Sequence, residues 1–314
     1  MGENIISIDK KNAKPFLKWA GGKSQLLSNI RQYYPFGDTC TKYAELFVGG
    51  GAVLFDVLNS FPNLTEIYIN DINAELINAY RVIRDHVEEL IPILLEMQCD
   101  FVSADMEHRK IIYLANRNLF NKLKTENKTQ EKNNEIQKAA LMIFLNKTCF
   151  NGLFRVNKKG MFNVSMGSYK NPLICDKSNL QTVSDRLQSV SIMRGGYKEA
   201  GKFIDEKTFV YLDPPYRPIT TTANFTSYSS DSFCDQDQFE LADFVKEIHK
   251  KRAKFLMSNS DPKNSDTDDN FFDELYSEYY IDRVFANRMI NCKAKKRGKI
   301  AELLISNFEI EKRS

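Results

Sequence analysis

Residues 41–71 contain the feature that most constrains the fold: a strand, three consecutive glycines, a helix and a second strand in close succession. The first strand and the glycines read TKYAELFVGGG, and the second strand reads TEIYIND and ends in Asp71. Two apolar strands joined through a helix favour a parallel pair within an α/β sheet. The sequence therefore predicts that ligand-binding groups gather at the carboxyl ends of these strands.

Gly49, Gly50 and Gly51 lie where the first strand turns into its helix. Without side chains they let a ligand approach the backbone, and the helix that follows offers free amides. Asp71 closes the next strand about twenty residues later, a spacing from which an acid binds ribose hydroxyls. The dinucleotide fingerprint lacks its third glycine, which would be at Leu54, so a nucleoside ligand other than NAD is favoured. A glycine turn followed by a capping aspartate is the alternative interpretation.

The segment KWAGGKSQ, at residues 18–25, ends in the Gly-Lys-Ser of a P-loop. A P-loop has an earlier glycine where this chain has Leu17, and it follows a buried strand, whereas Pro15 interrupts the short stretch before it. These departures argue against a nucleotide triphosphate. The alternative is a tight glycine turn followed by a solvated Lys23.

A mainly helical block interrupts the α/β pattern. From Ile72 onward apolar residues recur at helical spacing, and Pro92 is expected to bend this run or start a new turn. Further helices are predicted over Met106–Leu123 and in IQKAALMIFLN. Residues 149–167 contain Asn-Gly and Lys-Gly turns, which indicate a hairpin or a loop. Strands are predicted again in SVSIMRGGY, TFVYL, KFLMSNS, YYIDRVFANRM and KIAELLISNF, with an amphipathic helix in DQDQFELADFVKEIHKKRA.

This order of elements predicts an α/β fold, a Rossmann-like doubly wound sheet with helices on both faces. Residues 1–71 and 176–314 would form the catalytic domain. Residues 72–175 would form an inserted, mainly helical domain that ends in a hairpin.

The stretch YLDPPY places Asp213 directly after an apolar strand, at the edge where α/β sheets bind ligands. Pro215 has no amide hydrogen, so the carbonyl of Pro214 can point into a pocket, and Tyr216 supplies a flat ring. A carboxylate and a carbonyl accept the two hydrogens of an exocyclic amine while the ring stacks on the base. A proline-rich turn explains the prolines but not the acid and the aromatic ring beside them.

The stretch FNGLFR, at residues 150–155, combines an aromatic ring, an amide, an apolar side chain and a guanidinium. Asn reads adenine edges, Arg reads guanine, an apolar group contacts a thymine methyl, and an aromatic ring can wedge into a base stack. The alternative is a capped turn with a core Phe. Basic clusters support the DNA interpretation, although each is also typical of a solvated face. They are Lys10, Lys11, Lys14, Lys18 and Lys23; Arg155, Lys158, Lys159 and Lys170; and Lys293, Lys295, Lys296, Arg297 and Lys299.

Composition excludes several other classes. The six cysteines are scattered without a CxxC pair and the three histidines lie far apart, so reduced thiols and no metal cluster are expected. The chain lacks a run of about eighteen apolar residues, and its N-terminus lacks a signal-peptide core. We therefore expect a cytoplasmic protein that does not span a membrane. The net charge of +3 is small, so only local basic clusters argue for nucleic acid.

Taken together, the motifs occur in the order FLKWAGGKSQLL, ELFVGGGAV, YINDIN, NKTCFNGLFRVNKKGMFNV, YLDPPY, TTANFTSYSSDSF, FLMSNS and NRMINCKAKKRGKIAELLISN. In this order, and over most of the chain, the sequence resembles the Dam-like DNA adenine-N6 methyltransferases of the alpha motif order. The resemblance implies an enzyme that transfers a methyl group from S-adenosylmethionine to a flipped-out adenine in double-stranded DNA.

The resemblance also implies residue roles, with the KWAGGK segment closing over S-adenosylmethionine rather than ATP. The implied cofactor-binding residues are Trp19, Lys23, Gly49, Gly51, Asp71 and Asp213. The implied catalytic residues are Asp213, Pro214 and Tyr216. The insertion corresponds to the family's target-recognition domain, and the implied DNA-binding residues are Lys18, Phe150, Asn151, Leu153 and Arg155.

Many family members with this insertion read GATC, which implies GATC or a related site here. This chain departs from the common FNVP, because Ser165 replaces the proline, and Ser168 stands where some members have a basic residue. A cognate restriction endonuclease, acting separately, is an implied partner. Methylation of cytosine-N4, methylation of an RNA adenine, and a non-catalytic DNA-binding relative are the alternatives.

Overall fold

The computed structural model describes residues 11–125, 131–217, 233–287 and 299–310. Most of TTANFTSYSSDSF lies outside these residues, and so do Lys293, Lys295, Lys296 and Arg297 of the last basic cluster, whereas Lys299 lies within them. Within the described part of the chain, none of the helices has the length and apolar character needed to cross a membrane.

The described residues form one mixed sheet of seven strands in the order β3-β2-β1-β4-β5-β7-β6. The first five strands of that order are parallel, and β7 pairs antiparallel with both β5 and β6. The strands are β1 Lys42–Glu45, β2 Glu66–Asp71, β3 Val190–Arg194, β4 Thr208–Leu212, β5 Lys254–Ser260, β6 Tyr280–Asn287 and β7 Lys299–Ser306. The predicted α/β sheet is confirmed.

Helices cover both faces of the sheet, which explains why β1 and β4 are buried along their whole length. One buried cluster lies under α2, α3 and α6, and a second lies under α7 and α8. The α-helices are α1 Leu27–Ile30, α2 Ala52–Ser60, α3 Ala74–Ser103, α4 Met106–Thr125, α5 Lys132–Thr148, α6 Lys177–Leu187, α7 Asp235–Lys250 and α8 Phe271–Leu275.

Helix α3 begins after Asn73, whose side chain accepts a hydrogen bond from the amide of Leu76. It continues through Pro92, and its backbone leaves helical angles at His86, where φ is −139° and ψ is 29°. The predicted helix therefore exists but is not straight.

Helices α3, α4 and α5 pack together and lead into an irregular hairpin. Bridges between Cys149 and Met166 and between Val156 and Phe162 hold the hairpin, as the turn signals indicated. Helix α5 is buried on nearly all sides, because it is sandwiched among apolar side chains from α3 and α4. The same buried cluster continues onto the sheet, so the division at residues 72–175 stays a prediction.

Candidate active site

The chain continues from β1 to β2 and β3 on one side of the sheet and from β4 to β5 on the other, so the strand order changes direction between β1 and β4. The loops after these two strands therefore leave toward opposite sides. Ligands bind at such a point in open α/β sheets, outside the carboxyl ends of the strands. The glycine turn follows β1, and Asp213 follows β4 directly. The topology therefore brings the predicted glycine turn and the predicted DPPY stretch to the same edge of the sheet.

Asp213 is held by Lys23, although the two residues are far apart in sequence. The Lys23 Nζ lies 2.6 Å from Asp213 Oδ1 and 2.8 Å from Oδ2. The Ser258 hydroxyl, from β5, donates to Oδ1 at 3.0 Å. Lys23 is only 4% exposed, so the alternative of a solvated lysine is wrong.

A tight turn carries Lys23 back toward the sheet. Gly21 has a φ of 78°, a left-handed conformation that glycine adopts without strain, and its carbonyl accepts a 2.9 Å hydrogen bond from Lys23 Nζ. The same ammonium donates to the Tyr216 hydroxyl at 2.8 Å. One buried cation thus joins the KWAGGK segment (residues 18–23) to both ends of the DPPY stretch.

Tyr216 presents its ring to solvent while its hydroxyl is fixed. The side chain is 36% exposed, and the hydroxyl donates to Glu302 Oε2 at 2.9 Å. Burial of the hydroxyl, together with the charges of Asp213 and Glu302, raises the pKa of Tyr216, which keeps the phenol neutral. A ring held by its far end in this way can stack against a planar group.

Burial raises the pKa of Asp213, and both the Lys23 ammonium and the Ser258 hydroxyl oppose that rise. A neighbouring cation is the usual means of keeping an enclosed carboxyl ionised. Burial likewise raises the pKa of Glu302, against the effect of Lys23. The Asp213 oxygens, which lie 2.6 and 2.8 Å from the Lys23 ammonium, can also accept hydrogen bonds from a ligand.

Asp71 ties the glycine turn to the start of α3. Its Oδ2 accepts from the Gly49 amide at 3.1 Å, and its Oδ1 accepts from the Asn73 amide at 2.9 Å. Gly49 has a φ of 47°, and a Cβ there would lie 2.8 Å from Cδ1 of the Trp19 indole. Trp19 therefore covers the turn, and a side chain at Gly49 has no room.

The FNGLFR segment (residues 150–155) forms a short turn next to the KWAGGK segment. Phe150 is 53% exposed and is not a core residue, whereas Phe154 of the same stretch packs against the core. Asn151 has a φ of 55°, an uncommon conformation outside glycine that often marks functional turns. Arg155 is exposed, and its Nε donates to Asn163 Oδ1 at 3.0 Å. Leu153 is partly buried and packs against the core.

The structure thus brings the predicted residues into two neighbouring groups, one around Asp213 and one along the FNGLFR segment. Lys18 lies between them, with its Nζ 5.1 Å from the centroid of the Tyr169 ring. Among the described residues, no group of three or more His, Cys, Asp or Glu side chains could hold a metal ion.

Comparison with known proteins identifies the family. A family model described as D12 class N6 adenine-specific DNA methyltransferase matches residues 19–290. The chain belongs to this family. The Dam-like resemblance is therefore confirmed, and the protein is an adenine-specific DNA methyltransferase by family.

Individual relatives agree with this assignment. The chain is 46% identical to the "Type II methyltransferase M.MjaIII" of Methanocaldococcus jannaschii, over 94% of this chain and 99% of that protein. It is 36% identical to the "Type II methyltransferase M1.LlaDCHI" of Lactococcus lactis subsp. cremoris, over 97% of this chain and 99% of that protein. It is 30% identical to the "DNA adenine methylase" of Escherichia coli K12, over 94% and 95%.

Three groups at this methyltransferase site were not singled out from the sequence. Ser258 contacts Asp213, and Glu302 contacts Tyr216 from the antiparallel strand β7. Glu45, at the end of β1, is 2% exposed and accepts a 2.7 Å hydrogen bond from the Tyr43 hydroxyl. An acid at the carboxyl end of a buried strand is the signal that identified Asp213, so the same rule could have found Glu45.

Glu45 should make the stability of this methyltransferase depend on pH. Burial raises its pKa from the ordinary 4.5 to about 8, aided by the charges of Asp213 and Asp71 and opposed by hydrogen bonds from Tyr43 and Leu54. Its contribution to stability is therefore complete below about pH 4.5 and is lost as the pH rises toward 8. Each pKa unit corresponds to about 1.4 kcal/mol.

We expect Glu45→Gln to remove this loss, because glutamine stays neutral and keeps an acceptor for the Tyr43 hydroxyl. Across this pH window the free energy of unfolding of the native protein should fall relative to that of Glu45→Gln by up to about 5 kcal/mol. Urea unfolding of both proteins at a series of pH values measures the difference. A difference that does not change with pH would contradict the role of Glu45.

Proposed function

We propose that this enzyme transfers the methyl group of S-adenosylmethionine to N6 of an adenine flipped out of double-stranded DNA. The observation that carries the proposal is the arrangement of Asp213, Lys23 and Tyr216, which combines an ionised acceptor with a presented ring. These groups suit an exocyclic amine on a planar base. A base inside a duplex cannot reach them, so it must leave the stack.

The residues present fit S-adenosylmethionine. Asp71, at the carboxyl end of β2, suits the ribose hydroxyls, and the turn at Gly49 and Gly51 leaves the backbone open to a ligand. We assign Trp19, Lys23 and Asp213 to the same binding site, since Trp19 covers the turn and Lys23 holds Asp213. The bound donor supplies an electrophilic methyl group on a sulfonium.

The protein's part in the reaction is positioning and charge stabilisation. The lone pair of adenine N6 is delocalised into the ring, so the amine is a weak nucleophile. Asp213 and the Pro214 carbonyl accept the amine hydrogens and stabilise the positive charge that grows on nitrogen. Tyr216 stacks on the base, and its hydroxyl keeps the ring in place through Lys23 and Glu302.

We assign DNA recognition to the FNGLFR segment, within residues 72–175 as the target-recognition domain. The exposed Phe150 suits a wedge that fills the gap left by the flipped base. Asn151, Leu153 and Arg155 would contact bases, and Lys18 faces the same region. The target would be GATC or a site that shares GAT, with the outer base affected by Ser165.

Two of the relatives are named Type II methyltransferases, which supports a role in restriction–modification with a separate endonuclease. The test of the whole proposal is to incubate unmethylated DNA with the purified protein and S-adenosylmethionine. Sequencing of methylated bases should find N6-methyladenine in one short motif. Mass analysis of the nucleosides from DNA and RNA would instead reveal N4-methylcytosine, methylated RNA or no product if an alternative function is correct.

The protein should bind S-adenosylmethionine and not ATP, because Leu17 replaces the P-loop glycine. In addition, Lys23 forms an ion pair with Asp213 and so does not present its ammonium to a phosphate. Asp71→Ala should weaken cofactor binding about 10- to 100-fold, since it removes the ribose acceptor and the partner of the Gly49 amide. DNA affinity should change less. Calorimetry with both ligands measures this, with the exposed Asp38→Ala as control. ATP that competes with the cofactor would restore the P-loop interpretation.

A further inference from the structure

The last turn of α5 contains a buried amide with an unusual set of partners. Asn146 is 2% exposed, and a polar side chain in such surroundings must find hydrogen bonds within the protein. Its Oδ1 accepts from the Lys18 amide at 2.9 Å. Its Nδ2 donates to the Lys18 carbonyl and to the Gly152 carbonyl, each at 2.8 Å. One side chain thus bonds the KWAGGK segment and the FNGLFR segment together.

The KWAGGK segment and the FNGLFR segment are also in direct van der Waals contact. Gly152 has a φ of 65°, and a Cβ there would lie 2.6 Å from Cδ and 2.8 Å from Cβ of Lys18. The backbone of the FNGLFR segment therefore lies directly on the Lys18 side chain. Only glycine at this position allows both the left-handed turn and the close approach.

A third contact links this junction to the glycine turn. The rings of Trp19 and Phe154 are stacked, with centroids 5.5 Å apart and an interplanar angle of 22°. Trp19 also covers Gly49, whose amide donates to Asp71. Packed contacts therefore run without a break from the FNGLFR segment to Asp71.

We infer that Asn146 is a positioning residue that fixes the FNGLFR segment against the KWAGGK segment, so that base reading and the geometry around Asp213 are set together. The inference rests on the proposed function of those two segments. Asn146 contacts neither DNA nor the methyl donor in this account. It acts through the backbone of Lys18 and Gly152, and a shift there moves Phe150 and Arg155 relative to Lys23.

The chain offers a matched control for this inference. Asn59, on α2, bonds the same N-terminal stretch in the same way: its Oδ1 accepts from the Ala13 amide at 3.0 Å, and its Nδ2 donates to the Ala13 carbonyl at 2.9 Å. These hydrogen bonds join α2 to Ala13 and not to the FNGLFR segment. Asn59→Ala therefore reports what loss of an asparagine clamp costs in stability alone.

The experiment compares the full-length native protein with Asn146→Ala, Asn146→Asp and Asn59→Ala. For each protein, kcat and KM are measured on the preferred duplex and on single-base variants, together with Tm. Asn146→Ala should lower kcat/KM on the preferred duplex about 10- to 100-fold, mainly through kcat, because a small misplacement of a reacting group has effects of that size. On the duplexes with a single changed base, kcat/KM should fall by a smaller factor. The ratio of activity on the preferred duplex to activity on the others should therefore decrease.

The two remaining variants sharpen the result. Asn146→Asp keeps the acceptor for the Lys18 amide but loses both donors, so it should behave like Asn146→Ala. Asn59→Ala should lower Tm and leave the ratio of activities on the duplexes unchanged. If Asn146→Ala lowers Tm but keeps kcat and that ratio, the residue has only a structural role and the inference is overturned.

Two other results can be distinguished from a purely structural role of Asn146: variants that do not fold, and a native protein that does not methylate DNA. If neither Asn146 variant folds, Gly152→Ala perturbs the same junction from the other side, and unchanged discrimination in that variant also overturns the inference. If the native protein methylates no duplex, the proposed function fails, and DNA affinity with and without S-adenosylhomocysteine becomes the readout. If S-adenosylhomocysteine then raised the DNA affinity of Asn146→Ala as much as that of the native protein, the inferred coupling between the two segments would be overturned.

Discussion

Asp213→Ala is expected to lower the rate of methyl transfer by about a thousandfold or more, while DNA binding largely survives. The carboxylate is the only acidic group in the DPPY stretch, and it is held by Lys23 and Ser258 at distances of 2.6 to 3.0 Å. Without it, an amine placed over Tyr216 loses its charged acceptor. The loss should appear in single-turnover rates at saturating cofactor.

One further variant separates chemistry from stability. Asp213→Ala leaves the buried Lys23 ammonium without its closest carboxylate, so some loss of stability is also expected. Asp56→Asn is the matched control, because Asp56 is a buried carboxylate whose partners, Arg31 and Tyr34, lie outside the site. Asp56→Asn should lower Tm and retain methyl transfer. Near-normal turnover in Asp213→Ala would remove Asp213 from the mechanism.

Local sequence motifs were enough to predict the residues that follow strands directly. Asp71 ends β2, Asp213 follows β4 directly, and Gly49 lies in the turn after β1. The three meet because the carboxyl ends of parallel strands lie at one edge of the sheet. The partner of Asp213 could not be predicted from spacing. Lys23 precedes every strand of the sheet, and only tertiary packing of its segment brings the ammonium to the carboxylate.

Glu302 shows why other parts of the site escape such reasoning. It belongs to β7, which enters the sheet antiparallel beside β5, so its side chain reaches Tyr216 from the opposite strand direction. The rule on carboxyl ends of parallel strands does not apply to such a residue. Asn146 was missed for a different reason: a lone amide in the apolar run of α5 has no local pattern, and its role depends on two distant backbones.

The predicted domain division also shows where sequence reasoning ends. The change to helical periodicity at Ile72 marks the start of a different kind of structure, and α3 begins two residues later, at Ala74. Yet Arg81 and Arg84 of α3 donate to carbonyls of β3, at Ile192 and Val190, so this helix also packs on the sheet. Periodicity reports the type of element but not which surfaces the element joins.

Arg155→Ala should relax the choice of one base pair rather than slow the enzyme equally on every sequence. A guanidinium grips guanine through two parallel hydrogen bonds, which contribute about 1–3 kcal/mol of discrimination. Arg155 is exposed at the end of the FNGLFR segment, and the Asn163 amide oxygen orients its Nε. Arg155→Lys keeps the charge without the planar fork, so it should lose discrimination while retaining more affinity.

The measurement is kcat/KM on the preferred duplex and on single-base variants, for the native protein, both Arg155 variants and Lys158→Ala. Lys158 is exposed in the same hairpin, and a lysine that contacts only phosphate should lower affinity evenly across sequences and reduce the salt dependence. Lys296 should behave in the same way if it contacts phosphate alone. If Arg155→Ala loses activity by the same factor on every duplex, Arg155 supports the backbone or the fold, and the claim that it reads a base directly is wrong.

The fourth base of the site is a separate question, because Ser165 replaces the proline of the family motif. The Ser165 carbonyl accepts a hydrogen bond from the Phe150 amide. A site with GAT followed by a base other than C would leave adenine methylation intact and overturn only GATC.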